Sequence, residues 1–384
     1  MNQVSKHFDV IIVGAGPAGV SCALALQNTN LNILLLDKHS FPRDKVCGDA
    51  IGGRSIKLLE KIAPDFVSEL RSFGKKEFIS TTRVFIDNYK PFNLYWKNES
   101  YCIKRVDFDA LLLKHAVQSG KRLQFQDNFK VDTVIQEDAN IIIANKSSNT
   151  YYSANMLIAA DGSQSFLAKQ LIDLKLDNHN FSAAVRAYYS NVGGLLPNQT
   201  EVHMYKNILP GYLWVFPLGH NLTNVGLGML SDQVAKRKFD LKQSLKENLL
   251  HHPNLKDRFK DAQLESDVKG FGLALGSRKL TYYGNRFLLI GDAASLIDPK
   301  SGDGISNAIE SGMIAATTII HAHQQQDFSK NVLVKYQNDL TKKLGKELRN
   351  STIILRVITY LPFLIPIVPF LMRSKWLTNI ARRF

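Results

Sequence analysis

The spacing of apolar positions changes along the chain, and each spacing predicts an element. Residues 8–13 form a largely apolar run, of the kind buried on both faces of a parallel sheet. Residues 17–27 carry Ala, Leu and Cys at helical intervals, and 32–36 form a second buried strand that ends at Asp37. The stretch 38–53 is polar and punctuated by Gly and Pro, which predicts a loop. β-like runs follow at 82–87, 92–96 and 101–103, then a helix over 107–118 that Gly120 stops. Strands with polar turns fill 121–160, closing on 156–159. Further β-like runs lie at 183–189, 201–205, 212–216 and 225–229, and a polar helical stretch covers about 234–250. A buried strand at 287–290 precedes a Gly-rich segment and a helix over about 304–323. From about 328 the pattern is helical, polar at first and then strongly apolar.

This succession predicts an α/β fold in three parts. A Rossmann-type domain with a GxGxxG turn is assembled from residues 1–75, 100–178 and 276–325. A β-rich second domain comes from 76–99 and 179–275, and a basic and apolar helical tail covers 326–384.

With 384 residues, 45% apolar and 21% charged, the composition is that of a globular chain too long for one core. The early apolar residues do not suit a secretory signal, because Asp9 and then Gly14, Gly16, Pro17 and Gly19 interrupt them. Three cysteines, Cys22, Cys47 and Cys102, make no CxxC pair, so a reducing, cytoplasmic setting is expected. Lys and Arg number 48 against 34 acids, a net charge of +14 that suits nucleic acid, an acidic substrate or an anionic membrane. Position decides among them. Residues 331–384 carry +8, and their basic residues flank sixteen uncharged residues between Arg356 and Arg373. A nucleic-acid surface needs basic residues spread over a face with interleaved aromatics, so no nucleic acid is expected. Pro362, Pro366 and Pro369 break the apolar run, which also falls short of the roughly 20 residues a spanning helix needs. Two readings fit the tail: peripheral contact with an anionic membrane, or a helix covering a hydrophobic pocket or a dimer contact of its own protein.

The candidate chemistry begins at Gly14-Ala15-Gly16-Pro17-Ala18-Gly19, directly after a strand and opening a helix. Glycines at these spacings allow a tight turn, close backbone approach to a pyrophosphate, and close strand–helix packing. The helix start offers unpaired N–H groups to phosphate. Asp37 follows Gly14 by 23 residues, at a strand end where a carboxylate accepts from ribose hydroxyls, with Lys38 beside it. A second segment, Ala159-Ala160-Asp161-Gly162-Ser163, reads alone as an ordinary turn. A third runs Leu288-Leu289-Ile290-Gly291-Asp292-Ala293-Ala294, then Pro299, Gly302, Gly304 and Ile305. There Asp292 suits a polyol chain, and the helix start at Gly302 and Gly304 suits a developing negative charge. No His/Cys/Asp cluster has metal-ligand spacing, so no metal is expected.

In this order the segments resemble the FAD-binding fingerprints of the aromatic-hydroxylase-like flavoprotein superfamily. Arg105, in Lys104-Arg105-Val106-Asp107-Phe108-Asp109-Ala110-Leu111-Leu112, matches that superfamily's helix-start arginine, whose side chain approaches the flavin. Two more segments resemble the geranylgeranyl reductase family. Pro42-Arg43-Asp44-Lys45-Val46-Cys47-Gly48-Asp49 matches its P…K…CG segment, and Gly211-Tyr212-Leu213-Trp214-Val215-Phe216-Pro217 its Y-x-W-x-F-P strand. Asn224-Val225-Gly226-Leu227-Gly228 follows as that strand's usual continuation. Halogenases of the superfamily show a doubled W-x-W-x-I-P, where this chain has only Trp214. The resemblance covers residues 8 to about 320.

The resemblance implies FAD, held by Gly14, Gly16, Ala18, Gly19, Asp37, Lys38, Cys47, Arg105, Asp161, Gly162, Asp292, Gly302, Gly304 and Ile305. It puts the Cys47 loop beside the flavin, so Cys47 is the candidate catalytic residue, with Arg43 and Lys45 near enough to favour a thiolate. Side-chain alternation alone puts Tyr212, Trp214 and Phe216 on one strand face, as plain core or as a pocket wall. His203 and Tyr205 share a face by the same rule and are read as lining the same apolar cavity, one suited to an isoprenoid or quinone tail. The implied activity is saturation of C=C bonds in an isoprenoid or isoprenoid-tailed lipid or quinone by hydride from reduced flavin. The alternative is a monooxygenase that hydroxylates or epoxidises a hydrophobic substrate. No second GxGxxG unit follows a strand, so the electron donor is either NAD(P)H in the same cleft or a small redox protein.

Overall fold

The computed structural model describes residues 6–361, 363 and 365. Its principal elements in chain order are β1 (Lys6–Val13), α1 (Pro17–Leu26), β2 (Ile33–Leu36), α2 (Gly53–Ile62), β3 (Glu77–Ile86) and β4 (Phe92–Cys102). Then come α3 (Arg105–Ser119), β5 (Leu123–Gln126), β6 (Thr150–Ala159), β7 (Phe181–Ser190), β8 (Gln199–Met204), β9 (Tyr212–Gly219) and β10 (Leu222–Leu230). The last are β11 (Lys269–Ala274), β12 (Phe287–Leu289), α4 (Ile305–Gln325) and α5 (Lys330–Tyr360).

Among the described residues two sheets form. In the first, β12, β6, β1, β2 and β5 lie side by side and all pair in parallel. Every residue of β2 is buried, as a strand covered on both faces requires. The strands come from three separated stretches of chain. In the second sheet, β7, β10, β9, β8, β3 and β4 are neighbours in that order. All these pairs are antiparallel except β8 with β3, which joins the hairpin β3–β4 to strands more than a hundred residues later. β11 pairs with the outer side of β7.

The stretch expected to be one loop, 38–53, ends instead in a two-residue strand, Ala50–Ile51, paired to β4, and α2 starts at Gly53. The helical stretch near 234–250 is two helices, Ser231–Lys236 and Leu241–His251.

Two glycines set the packing around α1. A Cβ on Gly19 would lie 1.9 Å from the Gly14 carbonyl oxygen, and one on Gly312 would lie 2.5 Å from that of Ala18. Only hydrogen at these positions lets α1 sit against the β1 turn on one side and α4 on the other. The long helix α5 buries Leu333, Tyr336, Leu340, Leu344 and Leu348 at intervals of three or four, one stripe turned to the core. Its last turns are different. Ile353, Ile354, Val357 and Tyr360 are exposed there. Among the described residues no helix is long and apolar enough to cross a membrane. Pro362, Pro366, Pro369, Arg373 and the rest of the expected basic flank lie outside the described residues.

Candidate active site

A cavity of about 2450 Å³ runs between the two sheets. At one end it meets the turn between β1 and α1. Gly14 has φ +113°, and a Cβ there would lie 2.2 Å from the Ala160 carbonyl oxygen, so the turn accepts only glycine. Asp37, at the end of β2, is buried and accepts hydrogen bonds from the N–H groups of Ala15 (2.9 Å) and His39 (2.9 Å). Its carboxylate thus ties the Gly-rich turn to the next loop while still lining the cavity, with exposed Lys38 beside it.

The other expected cofactor residues converge on this end. Gly14, Gly16, Ala18, Asp37, Lys38, Cys47, Arg105, Asp161, Gly162, Asp292, Gly302, Gly304 and Ile305 all line the cavity; Gly19 lies behind it, packing α1. Asp161 lines the cavity and is anchored within its own segment. It accepts from Ser165 Oγ (2.5 Å) and the Leu167 N–H (3.1 Å), so it caps the helix Phe166–Ile172. Gly162 beside it has φ +87° and open space where a side chain would stand. Asp292 accepts from Lys45 Nζ (3.2 Å) and Ser163 Oγ (3.1 Å).

The loop 42–49 is held by ion pairs. Arg43 reaches Asp109 at 3.1 Å, and Asp109 also takes a two-pronged bond from Arg105, both contacts at 2.7 Å. Asp44 pairs with Arg186 (2.7 Å) and Lys269 (3.0 Å). Arg43 also stands over the cradle, its Nη2 3.6 Å from where a Gly16 Cβ would be. Arg43, Lys45 and Asp109 stand inside recognisable segments, but nothing in the sequence alone marks them as binding residues. Arg43 and Lys45 alternate with Asp44 in the loop, and Asp109 lies one turn after Arg105 on α3, the only sequence signals they carry.

Of the three free cysteines, Cys22 and Cys102 are fully buried. Burial pushes the Cys22 thiol up to about 12 and the Cys102 thiol well above its ordinary range. Cys47 is half-buried, lines the cavity and lies within reach of the Arg105 guanidinium.

Tyr212, Trp214 and Phe216 of β9 form a cavity wall, with ring centroids 6.0 and 6.4 Å apart in succession. Gly226, opposite Trp214 on β10, leaves the space the indole fills, since a Cβ there would lie 2.1 Å from Trp214 Cζ2. Tyr212 donates to the Ser301 carbonyl at 2.6 Å and stands against Gly302, whose φ is +72°.

His203 and Tyr205 do not belong to this wall. Antiparallel register pairs Trp214 with Val202 and Leu213 with His203. Directly paired residues point to the same side, so Val202 and Met204 face the cavity and His203 faces away. His203 is buried against Phe85 (4.4 Å between centroids), with Nε2 3.0 Å from Glu201 and Nδ1 2.7 Å from the Tyr205 hydroxyl. Arg258 completes this cluster on Glu201 at 2.7 Å. Burial and the Arg258 and Arg83 charges hold the His203 imidazole below its usual range, against the pull of Glu201.

Beyond the wall the cavity becomes apolar. Val84, Ile86, Leu94, Ile354, Ile358 and Ile365 line this lobe, the last three from α5 and the residues after it. The end of α5 therefore covers an apolar pocket of its own protein. The cavity exceeds a usual small-molecule pocket, roughly 300–1,000 Å³, so it has room for a dinucleotide and a second, hydrophobic molecule. The glycine cradle, the Asp37 carboxylate and the cations Arg43 and Arg105 fit FAD.

A family model described as an FAD-binding domain matches residues 7–343. A menaquinone reductase of Mycobacterium tuberculosis is 27% identical over 99% of this chain and 91% of its own. A digeranylgeranylglycerophospholipid reductase of Thermoplasma acidophilum is 30% identical over 90% of this chain and 86% of its own. The crystal structure of a geranylgeranyl bacteriochlorophyll reductase-like protein from Thermoplasma acidophilum superimposes with a TM-score of 0.79 at 25% identity. That match covers 92% of this chain and 88% of the other. A flavin-dependent brominase shares the fold alone, with a TM-score of 0.79, 21% identity, and coverage of 98% and 92%. The chain belongs to the geranylgeranyl reductase family of FAD-dependent oxidoreductases.

Proposed function

We propose that this oxidoreductase saturates C=C bonds of an isoprenoid, or of the isoprenoid tail of a lipid or quinone. One observation carries the reading: the glycine cradle and an apolar lobe are two ends of one cavity. When bound, reduced FAD supplies the hydride. The protein's part is to hold and dry the site. Arg105, buried and paired to Asp109, presents a fixed cation beside Cys47. The Tyr212–Phe216 wall and the α5 residues pack an unbranched or methyl-branched chain and exclude water. Dryness matters because an unactivated alkene accepts hydride poorly, so proton and hydride delivery must be closely coordinated. NAD(P)H or a small redox protein supplies the electrons.

The mouth of the lobe supports a peripheral membrane contact. Ile353 (54%) is exposed there, as are Tyr95 and Trp96 of β4, which line the same cavity, and Tyr360 (67%) and Phe363 (69%), further along the chain, are exposed too. Lys342, Lys343 and Lys346 line it about two to three turns before Ile353 along α5. Apolar side chains rimmed by lysines suit the surface of an anionic bilayer, from which a lipid substrate enters. The setting is then cytoplasmic and peripheral. Flotation with anionic liposomes tests this: the full chain should float and an Ile353→Glu, Ile354→Glu variant should not. Equal recovery in the soluble fraction would remove the membrane from the account.

Product analysis tests the chemistry. A polyprenyl lipid incubated with the FAD-loaded protein and a chemical reductant should gain hydrogen in pairs. Products that gain oxygen instead would establish a monooxygenase.

A further inference from the structure

Asp49 is fully buried, takes φ +62°, and stands behind the cavity wall between the lining residues Gly48 and Ala50. We propose that Asp49 is the positioning residue of the site, its carboxylate holding the Cys47 turn, the Trp214 indole and the start of α3 in one arrangement. The proposal rests on the reading of this cavity as the flavin and substrate site.

Three donors converge on that carboxylate. Oδ1 accepts from the Arg105 N–H at 3.1 Å, and Oδ2 accepts from the Tyr188 hydroxyl at 2.8 Å and Asn224 Nδ2 at 2.8 Å. Asn224 passes the constraint on. Its Nδ2 also donates to the Cys47 carbonyl at 2.8 Å, and its Oδ1 accepts from Trp214 Nε1 at 2.8 Å. An amide has one oxygen and one NH₂ group, so its orientation is fixed once both sides are committed. Asp49 and the Cys47 carbonyl, both acceptors, demand the NH₂ group on their side. Trp214 is thereby offered the oxygen.

The turn has no slack against the aromatic wall. A Cβ on Gly48 would lie 3.2 Å from the Phe216 ring and 3.6 Å from Trp214 Nε1. The groups that Asp49 bonds come from three elements: α3 of the first sheet's domain, and β7 and β10 of the second sheet. The groups thereby fixed — Cys47, Trp214 and Arg105 — all line the cavity. A residue serving only the core has no reason to be a carboxylate, since apolar contact would hold the same strands without desolvating a charge.

The two fully buried cysteines leave Cys47 as the reactive thiol, and it reports the position of the turn. The test is the rate at which a maleimide alkylates Cys47 in the folded, FAD-loaded protein, with a thermal melt recorded beside it. Asp49→Asn and Asn224→Ala should each shift the rate by roughly tenfold or more, the scale of losing hydrogen bonds to a charged group. The double variant should shift it no further than the larger single one, because both act through one network. Asp49→Glu should stay closer to the original rate than Asp49→Asn. Folded variants that alkylate within about twofold of the parent would overturn the proposal, since a purely structural role moves the melt alone. If Asp49→Asn does not fold, Asn224→Ala decides by itself. The alkylation needs no substrate, so a failed reductase assay leaves this result standing.

Discussion

Gly19 and Asp49 carry opposite constraints within the same site. At Gly19 any side chain meets backbone: a methyl would sit 1.9 Å from the Gly14 carbonyl oxygen. Overpacking typically costs about 1–3 kcal/mol, and a carbonyl cannot rotate aside as a side chain can. We expect Gly19→Ala to lower the unfolding midpoint and to empty the protein of FAD, read as the flavin-to-protein absorbance ratio. Parental flavin content in that variant would contradict the geometry. At Asp49, burial pushes the carboxyl up from 3.8 to about 6, against the hydrogen bonds from Tyr188, Asn224 and the Arg105 N–H and the charge of Arg186. The folded chain therefore binds more protons than the unfolded one between these values. This group's contribution to stability is full below about pH 4 and is lost as pH rises through about 6. Relative to Asp49→Asn, the parent should lose roughly 2–3 kcal/mol of unfolding free energy between pH 4 and 7, measured by denaturant titration. Parallel stability curves would show that Asp49 is not protonated over that range. Asp49 closes the 42–49 segment, but its role was not legible there, because its partners Tyr188 and Asn224 lie well over a hundred residues away.

Elements whose logic is local were legible. The strand, glycine turn, helix and strand at the start stand where periodicity and the motif put them, because each depends on neighbours within a few residues. The face that a strand turns to the cavity was not legible. Alternation gives β8 two faces, with Val202 and Met204 on one and His203 on the other, and Tyr205 just past its end would follow His203. Only the register of β8 against β9 says which one joins Trp214. The same helix can also hold two roles, as α5 does. Its first half buries Leu340 (2% exposed) in the core, and its last turns carry Ile354 (41% exposed) at the cavity. Leu340→Ala should cost about 2–5 kcal/mol of stability. Ile354→Ala should cost under about 0.5 kcal/mol, yet raise KM for long polyprenyl chains more than for short ones. Denaturant unfolding and chain-length kinetics check the pair. Equal effects on stability would mean that α5 packs uniformly.

At the scale of the molecule, charge and shape describe one arrangement. The net charge of +14 is concentrated toward the C-terminal end of the chain, and α5 leads from that basic stretch onto the apolar lobe. The cavity joins the glycine-rich turn to a hydrophobic wall across two sheets built from interleaved chain segments. Such a joint site is what a flavin reaction on a lipid chain requires, since the hydride source and the buried alkene must meet away from water. The most direct test is the reoxidation of the reduced, FAD-loaded protein without oxygen. Adding a polyprenyl lipid under anaerobic conditions should restore the oxidised flavin spectrum, with one saturated bond formed per flavin. A spectrum that stays reduced until air is admitted, with oxygen then found in the product, would contradict the reductase account.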